Sequence, residues 1–386
     1  SGQSADPFRL ALAELRSLSH AKPSWWLLPI TAAAFIVIGR VEFKLIDVLT
    51  FSAAIAVVPI AALIVHATEQ VASRTGEAVG GLLNATFGNA PELIICLVAL
   101  KAGYLEMVRA ALIGGILANL LLAMGASFFL GGLRHHKQNF NANAARLYSS
   151  TMLLAVVSMA IPSAFSRAFA PEGVVREEQM LNIGIAAILL FAYGLYLLFS
   201  LKTHPEAFAS AVVSGEGESD AHNHGDGKVW SLQRAVGSLV GASVLAAWMS
   251  EILVGAAEGT GKALGMSEVF IGVVFLAVIG GAAESGSAIT GARRNRMDLS
   301  IGIALGSCIQ IALFLAPVLV LASYFIAPQP LELSFSRAEL GALAFGVLAG
   351  AFVFSDGQSN WFKGVQLMTV YAFIAMMFYF IPDIAA

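Results

Sequence analysis

Two acidic residues stand where a chain of this composition can least tolerate them. Glu92 lies in "NATFGNAPELI" (84–94) and Glu284 in "IGGAAESGSAI" (279–289), each inside a stretch otherwise fit for hydrocarbon. Gly80, Asn84, Gly88 and Glu92 recur every four residues, a spacing that puts them on one face of a helix predicted over 77–100. Pro91 has no N–H to donate to the carbonyl of Phe87, and a main-chain oxygen freed in hydrocarbon needs protein, water or an ion. Asn89 adds an amide oxygen one turn before Glu92. Gly280 and Gly281 let the backbone open ahead of Glu284 without a proline. Carboxylate, amide and loose carbonyl oxygens at one depth suit a hard cation such as calcium, which takes six to eight oxygens in flexible geometry. Soft metals would need Cys or His clusters, which the apolar spans lack. The expected cation ligands are therefore Glu92, Glu284, Asn89, Phe87 through its carbonyl, Gly280 and Gly281. The ion is cargo, and no resident cofactor is expected.

A wider ring of residues has two readings each. Asn119 in "GILAN" (115–119) and Ser307 and Gln310 in "GSCIQ" (306–310) either complete the shell and line the approach or glue helices together. Asn84 belongs to the same pathway group. Glu69 and Glu258, near the ends of two spans, either relay protons at the mouths or are ordinary interfacial glutamates; Glu251 is a weaker candidate of the same kind. His66 and Glu69 form H-x-x-E, which is not the H-E-x-x-H of a metalloprotease. Cys96 and Cys308 both fall in spans and read as small buried residues. No nucleophile–base pair emerges, so an enzyme is not expected.

The elements that must position these groups are membrane helices. Of the 386 residues, 58% are hydrophobic and 12% charged, and the mean hydropathy is +0.79. Soluble domains carry about twice that charged fraction. Runs of bilayer-spanning length follow one another at about 25–40, 47–68, 77–100, 104–131, 146–166, 180–201, 230–256, 267–291, 298–325, 336–355 and 361–382. Alternating strands of the barrel type are absent, so the fold class is an all-α polytopic membrane protein with about 11 transmembrane helices. No basic domain exists to bind nucleic acid.

Lys and Arg cluster in "GGLRHHKQNFNANAAR" (131–146) and "ARRNRMD" (292–298), which predicts a cytoplasmic N-terminus and a C-terminus on the opposite side. The opening "SGQSADPF" lacks methionine and reads as a processed end; residues 1–24 read as an amphipathic lead-in lying on the lipid surface, not as a cleavable signal. The acidic, glycine-bearing segment 203–229 reads as a cytoplasmic linker. Its Asp220, His222, His224 and Asp226 either form a surface metal clip or remain solvated.

The halves on either side of that linker repeat. "VGGLLNATFGNAPE" (79–92) aligns with "IGVVFLAVIGGAAE" (271–284), so Glu284 follows Glu92 by 192 residues, and "GILAN" aligns with "GSCIQ" at an offset of 191. Segment 1–46 then holds the lead-in and an accessory first helix, with five helices in 47–202 and five in 230–386. An odd number per half inverts one half relative to the other across the membrane, an architecture of secondary transporters. Two close carboxylates in a dry site cannot both stay ionised without a cation, so calcium and protons exclude one another. Mutual exclusion with alternating exposure makes an antiporter. A passive channel is disfavoured, because the charged site is a single pair and not a ring from several subunits.

These residues also resemble a known family, the calcium/proton exchangers of the calcium–cation antiporter superfamily. "GLLNATFGNAPELI" (81–94) resembles its first signature repeat, and "GGAAESGSAITGARRNRMDLSIGIALGSCIQIALFLAPVLVLASYF" (280–325) resembles the second with its trailing helix. "ANLLLAMGASFFLGGLRHHKQNFN" (118–141) is similar to the segment after the first repeat. The resemblance implies ten core helices in two inverted halves plus an accessory helix, exchange of cytosolic calcium for protons, and Glu92 and Glu284 as the carriers. It places the protein in the plasma or inner membrane, with the bilayer, Ca²⁺ and protons as its partners and the oligomeric state open. Where the family's second repeat usually carries asparagine and histidine, this chain has Gly281 and Ser285, and Ile309 stands where a hydroxyl residue is common. Exchange of sodium or potassium for protons on the same fold is the alternative.

Overall fold

The computed structural model describes residues 45–74, 83, 86–169, 175–204, 230–263 and 266–381. The predicted accessory helix, the linker with its His and Asp residues, and Asn84 lie outside these, as does the side chain of Glu258.

Eleven helical elements follow in order. They are α1 (Leu45–Ala72), α2 (Ala90–Ala102), α3 (Leu105–His135), α4 (Ala142–Phe169), α5 (Val175–Leu198), α6 (Leu232–Ala263), α7 (Glu268–Gly280), α8 (Ala282–Arg293), α9 (Met297–Ile326), α10 (Arg337–Phe354) and α11 (Trp361–Phe380). A two-stranded antiparallel bridge, β1 (Gln138–Asn139) with β2 (Gln358–Ser359), is the one sheet among the described residues. Among the described residues, eight helices are long and apolar enough to cross a membrane, and α7 with α8 makes a ninth span bent by 58°. Of the eleven expected spans, the first lies outside the described residues, and only the α2 part of the third forms a helix of any length within them.

That third span corrects an expectation. The chain does not run as one helix through 77–100; it turns at Gly88–Asn89 and restarts at Ala90. Pro91 sits in the first turn of α2, where its missing N–H costs nothing. Gly80 and Asn84 of the four-residue stripe lie outside the described residues; Gly88 falls in the turn, and Glu92 belongs to a new N-terminal turn. The matching break in the second half falls at Gly281, between α7 and α8.

Local chemistry explains the other boundaries. Gly103 ends α2 with φ of 88°, a left-handed cap that glycine adopts without strain. Ser336 and Glu339 form a reciprocal capping box on α10, and Asn360 accepts from the Lys363 N–H to start α11. Three of the helices are interrupted by wide π turns: Ala118–Ala123 in α3, Ile311–Leu315 in α9 and, in the shorter α7, Ile271–Leu276. Pro317, which cannot donate to Leu313, follows the second of these.

Packing is centred on α3 and α9, in whose most apolar 18-residue stretches 83% and 72% of the residues are buried. Their glycines admit other backbones: Gly114 of α3 lies where an added Cβ would be 2.2 Å from the Val273 carbonyl of α7. The outer helices are the reverse of a soluble surface, exposing Phe191, Phe345, Phe352 and Phe373. Such a belt is stable only against lipid.

Candidate cation site

The midpoints of the two central helices meet the two backbone breaks. Asn119 opens the π turn of α3, and Gln310 immediately precedes that of α9. Wide turns of this kind loosen main-chain hydrogen bonding and recur at functional sites. Glu92 stands in the first turn of α2 and Glu284 in the first turn of α8. At both positions the helix start favours negative charge.

The polar side chains pair across the halves. Asn89 donates through Nδ2 to Gln310 Oε1 at 2.7 Å. The Ser307 hydroxyl lies 2.8 Å from Asn89 Oδ1 and also within hydrogen-bonding reach of Glu284 Oε2, so its single proton is shared between an amide and a carboxylate. Asn89 of the first half is thereby clamped to Ser307 and Gln310 of the second. In the sequence repeat Asn119 and Gln310 are counterparts; in the fold each reaches instead toward the opposite half's break.

The mirror-image corner is incomplete. Gly281 aligns with Asn89, and a Cβ built there would lie 3.5 Å from Glu92 Oε1 and 3.8 Å from Asn119 Nδ2. With no side chain at 281, Asn119 Oδ1 has no hydrogen-bonding partner, and neither carboxylate oxygen of Glu92 has one among the described residues. Ile116 aligns with Ser307, so Glu92 also lacks the hydroxyl that Glu284 has. Glu92 and Asn119 are 7% and 2% exposed, so water does not freely replace those bonds. Gly280 packs directly on Glu92, its added Cβ falling 3.0 Å from Cγ. A small cavity continues beside Glu92, lined by Cys96, Ala111, Gly115, Ala277 and Ile311 among others. Ser307 links the two corners, because its hydroxyl reaches both Asn89, three residues before Glu92, and Glu284.

Six of the expected residues are thus gathered: Glu92, Glu284, Asn89, Asn119, Ser307 and Gln310. Gly280 and Gly281 contribute as space. Phe87 ends the turn before the break with its ring exposed, and its carbonyl faces no N–H from Pro91. Glu69 is not gathered: it is exposed at the end of α1, with Oε2 3.6 Å from His66 Nδ1, the ordinary interfacial reading. Glu251 is exposed on α6. Both cysteines are free and buried, and the Cys308 thiol donates to the Ile116 carbonyl. The roles of the π turns and of the Ser307–Ile116 difference were not anticipated. The second was readable in the alignment of "GILAN" with "GSCIQ"; the first has no sequence signature.

Ser307→Ala removes a donor shared by Asn89 and Glu284. A hydrogen bond to a charged group contributes about 1.5–3 kcal/mol, so affinity for calcium should fall about tenfold or more. Ser307→Thr should retain most of it. Calcium titration of the purified protein measures both, and equal affinity in wild type and Ser307→Ala would contradict this role.

The sodium/calcium exchanger protein family matches residues 47–202 and 234–380, and this chain belongs to it. It is 41% identical over 341 residues to the Ca(2+)/H(+) antiporter of Aphanothece halophytica, covering 86% of this chain and 90% of that one. Identity to the Ca(2+)/H(+) antiporter ChaA of Bacillus subtilis is 39% over 327 residues, covering 84% and 90%. Among solved structures, native YfkE superposes with a TM-score of 0.75 at 36% identity, covering 92% of this chain and 100% of that chain. The H+/Ca2+ exchanger CAX superposes at 0.62 with 16% identity, covering 92% and 91%, a likeness of fold. The chain is an integral membrane protein of that fold.

Proposed function

We propose that the protein is a Ca²⁺/H⁺ antiporter, a transporter and not an enzyme, in which calcium and protons compete for Glu92 and Glu284 as the site opens alternately to the two sides. The observation that carries this reading is the buried carboxylate of Glu92, whose two oxygens have no partner among the described residues, at a break whose Asn89 is joined through Ser307 to Glu284 of the other half. A buried ion costs several kcal/mol even after the surroundings relax. Leaving two such groups ionised and uncompensated is therefore untenable. A divalent cation neutralises both at once, and so do two protons. The occupants exclude each other, which couples their movements.

Calcium in this reading takes both carboxylates, Asn119 Oδ1 and retained waters, with Asn89 and the Phe87 carbonyl nearby. The gap at Gly281 gives the ion's water room on the Glu92 side. Inverted halves provide the alternation. In support, the helix order after each break repeats, from α2 and the π-interrupted α3 to α8 and the π-interrupted α9. In this reading the N-terminus and the linker are cytoplasmic, supported by the Lys- and Arg-rich segments 131–146 and 292–298, and calcium leaves the cytosol as protons enter.

The test is exchange in proteoliposomes. An imposed proton gradient should drive calcium uptake against its gradient, and calcium should move protons in the absence of sodium and potassium. Flux that ignores the pH gradient would indicate a channel; proton movement driven by sodium or potassium but not by calcium would assign the alternative cargo.

A further inference from the structure

One end of the bundle carries positive charge that the protein does not neutralise. Arg134 lies in the last turn of α3 and Lys137 just beyond it, Arg146 lies in the first turns of α4, and Arg293 and Arg294 close α8; all are exposed. The loops bearing them are fastened to one another. His135 Nε2 lies 3.1 Å from the Arg293 carbonyl, Gln138 Nε2 donates to the Ala292 carbonyl and to Asn295 Oδ1, and the Phe140 N–H donates to Gly357. Arg146 itself donates to the Ser355 carbonyl. The cations are thus held at fixed spacing.

The carboxylates of this end are already engaged. Asp298 accepts the Asn141 N–H at 2.7 Å, and Asp356 accepts Lys363 Nζ at 2.6 Å. Among the described residues none of the five cationic side chains has a carboxylate within ion-pairing distance.

An independent feature gives the depth of the patch. Trp361 and Phe362, both exposed and paired edge to face at 5.7 Å, open α11. The start of α11 packs on Gly132, whose added Cβ would lie 2.2 Å from the Trp361 backbone nitrogen, so the residue bearing the indole is anchored two positions from Arg134 on the neighbouring helix. Aromatic rings between an apolar belt and a row of cations mark the membrane–water interface. The cations consequently lie at the level of lipid phosphates.

We infer that this end binds the phosphate headgroups of anionic phospholipids, with Arg134, Lys137, Arg293 and Arg294 as the principal contacts and Trp361 as the anchor beside them. Charge complementarity selects the ligand: a neutral zwitterionic headgroup offers no net attraction to such a patch, whereas each basic residue at an anionic surface adds to the binding. The site is separate from Glu92 and Glu284 and does not depend on the nature of the cargo.

Native mass spectrometry of the purified full-length protein tests it with phosphatidylglycerol and phosphatidylcholine in turn. The wild type should retain phosphatidylglycerol selectively. The fourfold variant Arg134→Gln, Lys137→Gln, Arg293→Gln, Arg294→Gln should retain at least about tenfold less, with phosphatidylcholine unaffected. The matching variant in which the three arginines become lysine should keep phosphatidylglycerol, since the attraction is one of charge. Glycerol 3-phosphate at equal phosphate concentration should not displace the lipid. Equal retention by wild type and the glutamine variant overturns the proposal. Displacement by glycerol 3-phosphate also overturns it, assigning the patch to free phosphate. Inverted insertion of the glutamine variant with undiminished lipid retention overturns it too, since the charges would then act only on topology.

Discussion

Glu92→Gln and Glu284→Gln each reduce proton-driven calcium uptake by at least about a hundredfold in proteoliposomes, while the protein remains inserted and monodisperse. Each substitution leaves one carboxylate, which cannot balance a divalent cation in a site of low dielectric. The two variants separate in stability, because the corners of the site differ. Glu92 has no partner for either oxygen, so a neutral amide there relieves the burial of an unsatisfied acid. Glu284 has the Ser307 hydroxyl, and an amide weakens that bond from a charge-assisted to a neutral one. Without calcium, Glu92→Gln should therefore melt at least about 1–2 °C above Glu284→Gln. Near-normal uptake in either variant would remove that glutamate from the site, and the reverse order of melting would remove the asymmetry.

Gly114→Ala should prevent α3 and α7 from closing. The added methyl meets the Val273 carbonyl at 2.2 Å and its Cα at 2.5 Å, both backbone atoms that no rotamer change can move. Gly272→Ala meets the Met107 carbonyl and the Ala110 methyl at 2.6 Å on the other side of the same crossing. Overpacking ordinarily costs about 1–3 kcal/mol, and a backbone-to-backbone clash lies at or above the upper end. The expected outcome is loss of the monodisperse peak on size exclusion, or a fall in melting temperature of several degrees. Gly184→Ala and Gly194→Ala, with open space around the new methyl, serve as controls and should melt within a degree or so of wild type. Normal melting of Gly114→Ala would mean that the crossing is looser than its geometry indicates. Because the crossing joins the halves next to Gly280 and Glu92, a milder variant that still folds should lose calcium affinity as well.

Much of this protein is legible in one dimension. Hydrophobic run length sets which segments cross a bilayer, since a helix must cover a fixed thickness with its own hydrogen bonds satisfied. A carboxylate inside such a run is conspicuous because it is costly, so Glu92 and Glu284 stand out from sequence, and an offset of 192 residues ties them together. The composition likewise distinguishes the two breaks, one by Pro91 and the other by the Gly280–Gly281 pair.

What required the tertiary structure is partnership. Spacing tells which residues share a helix face, but not which other helix that face meets. Asn89 therefore reads from sequence as a ligand beside Glu92, whereas the fold commits its amide to Gln310 and Ser307 of the opposite half. The first break falls at Gly88–Asn89, within the turn that Pro91 opens, but that the chain restarts there as a separate helix with Glu92 in its first turn is seen only in the fold. The π turns at Asn119 and Gln310 arise from packing around one extra residue per turn, which leaves no periodic trace. Whether a buried polar atom is satisfied depends on two residues and the space between them. Only the assembled bundle shows that, among the described residues, the Glu92 carboxylate and Asn119 Oδ1 beside Gly281 lack partners while Glu284 has one.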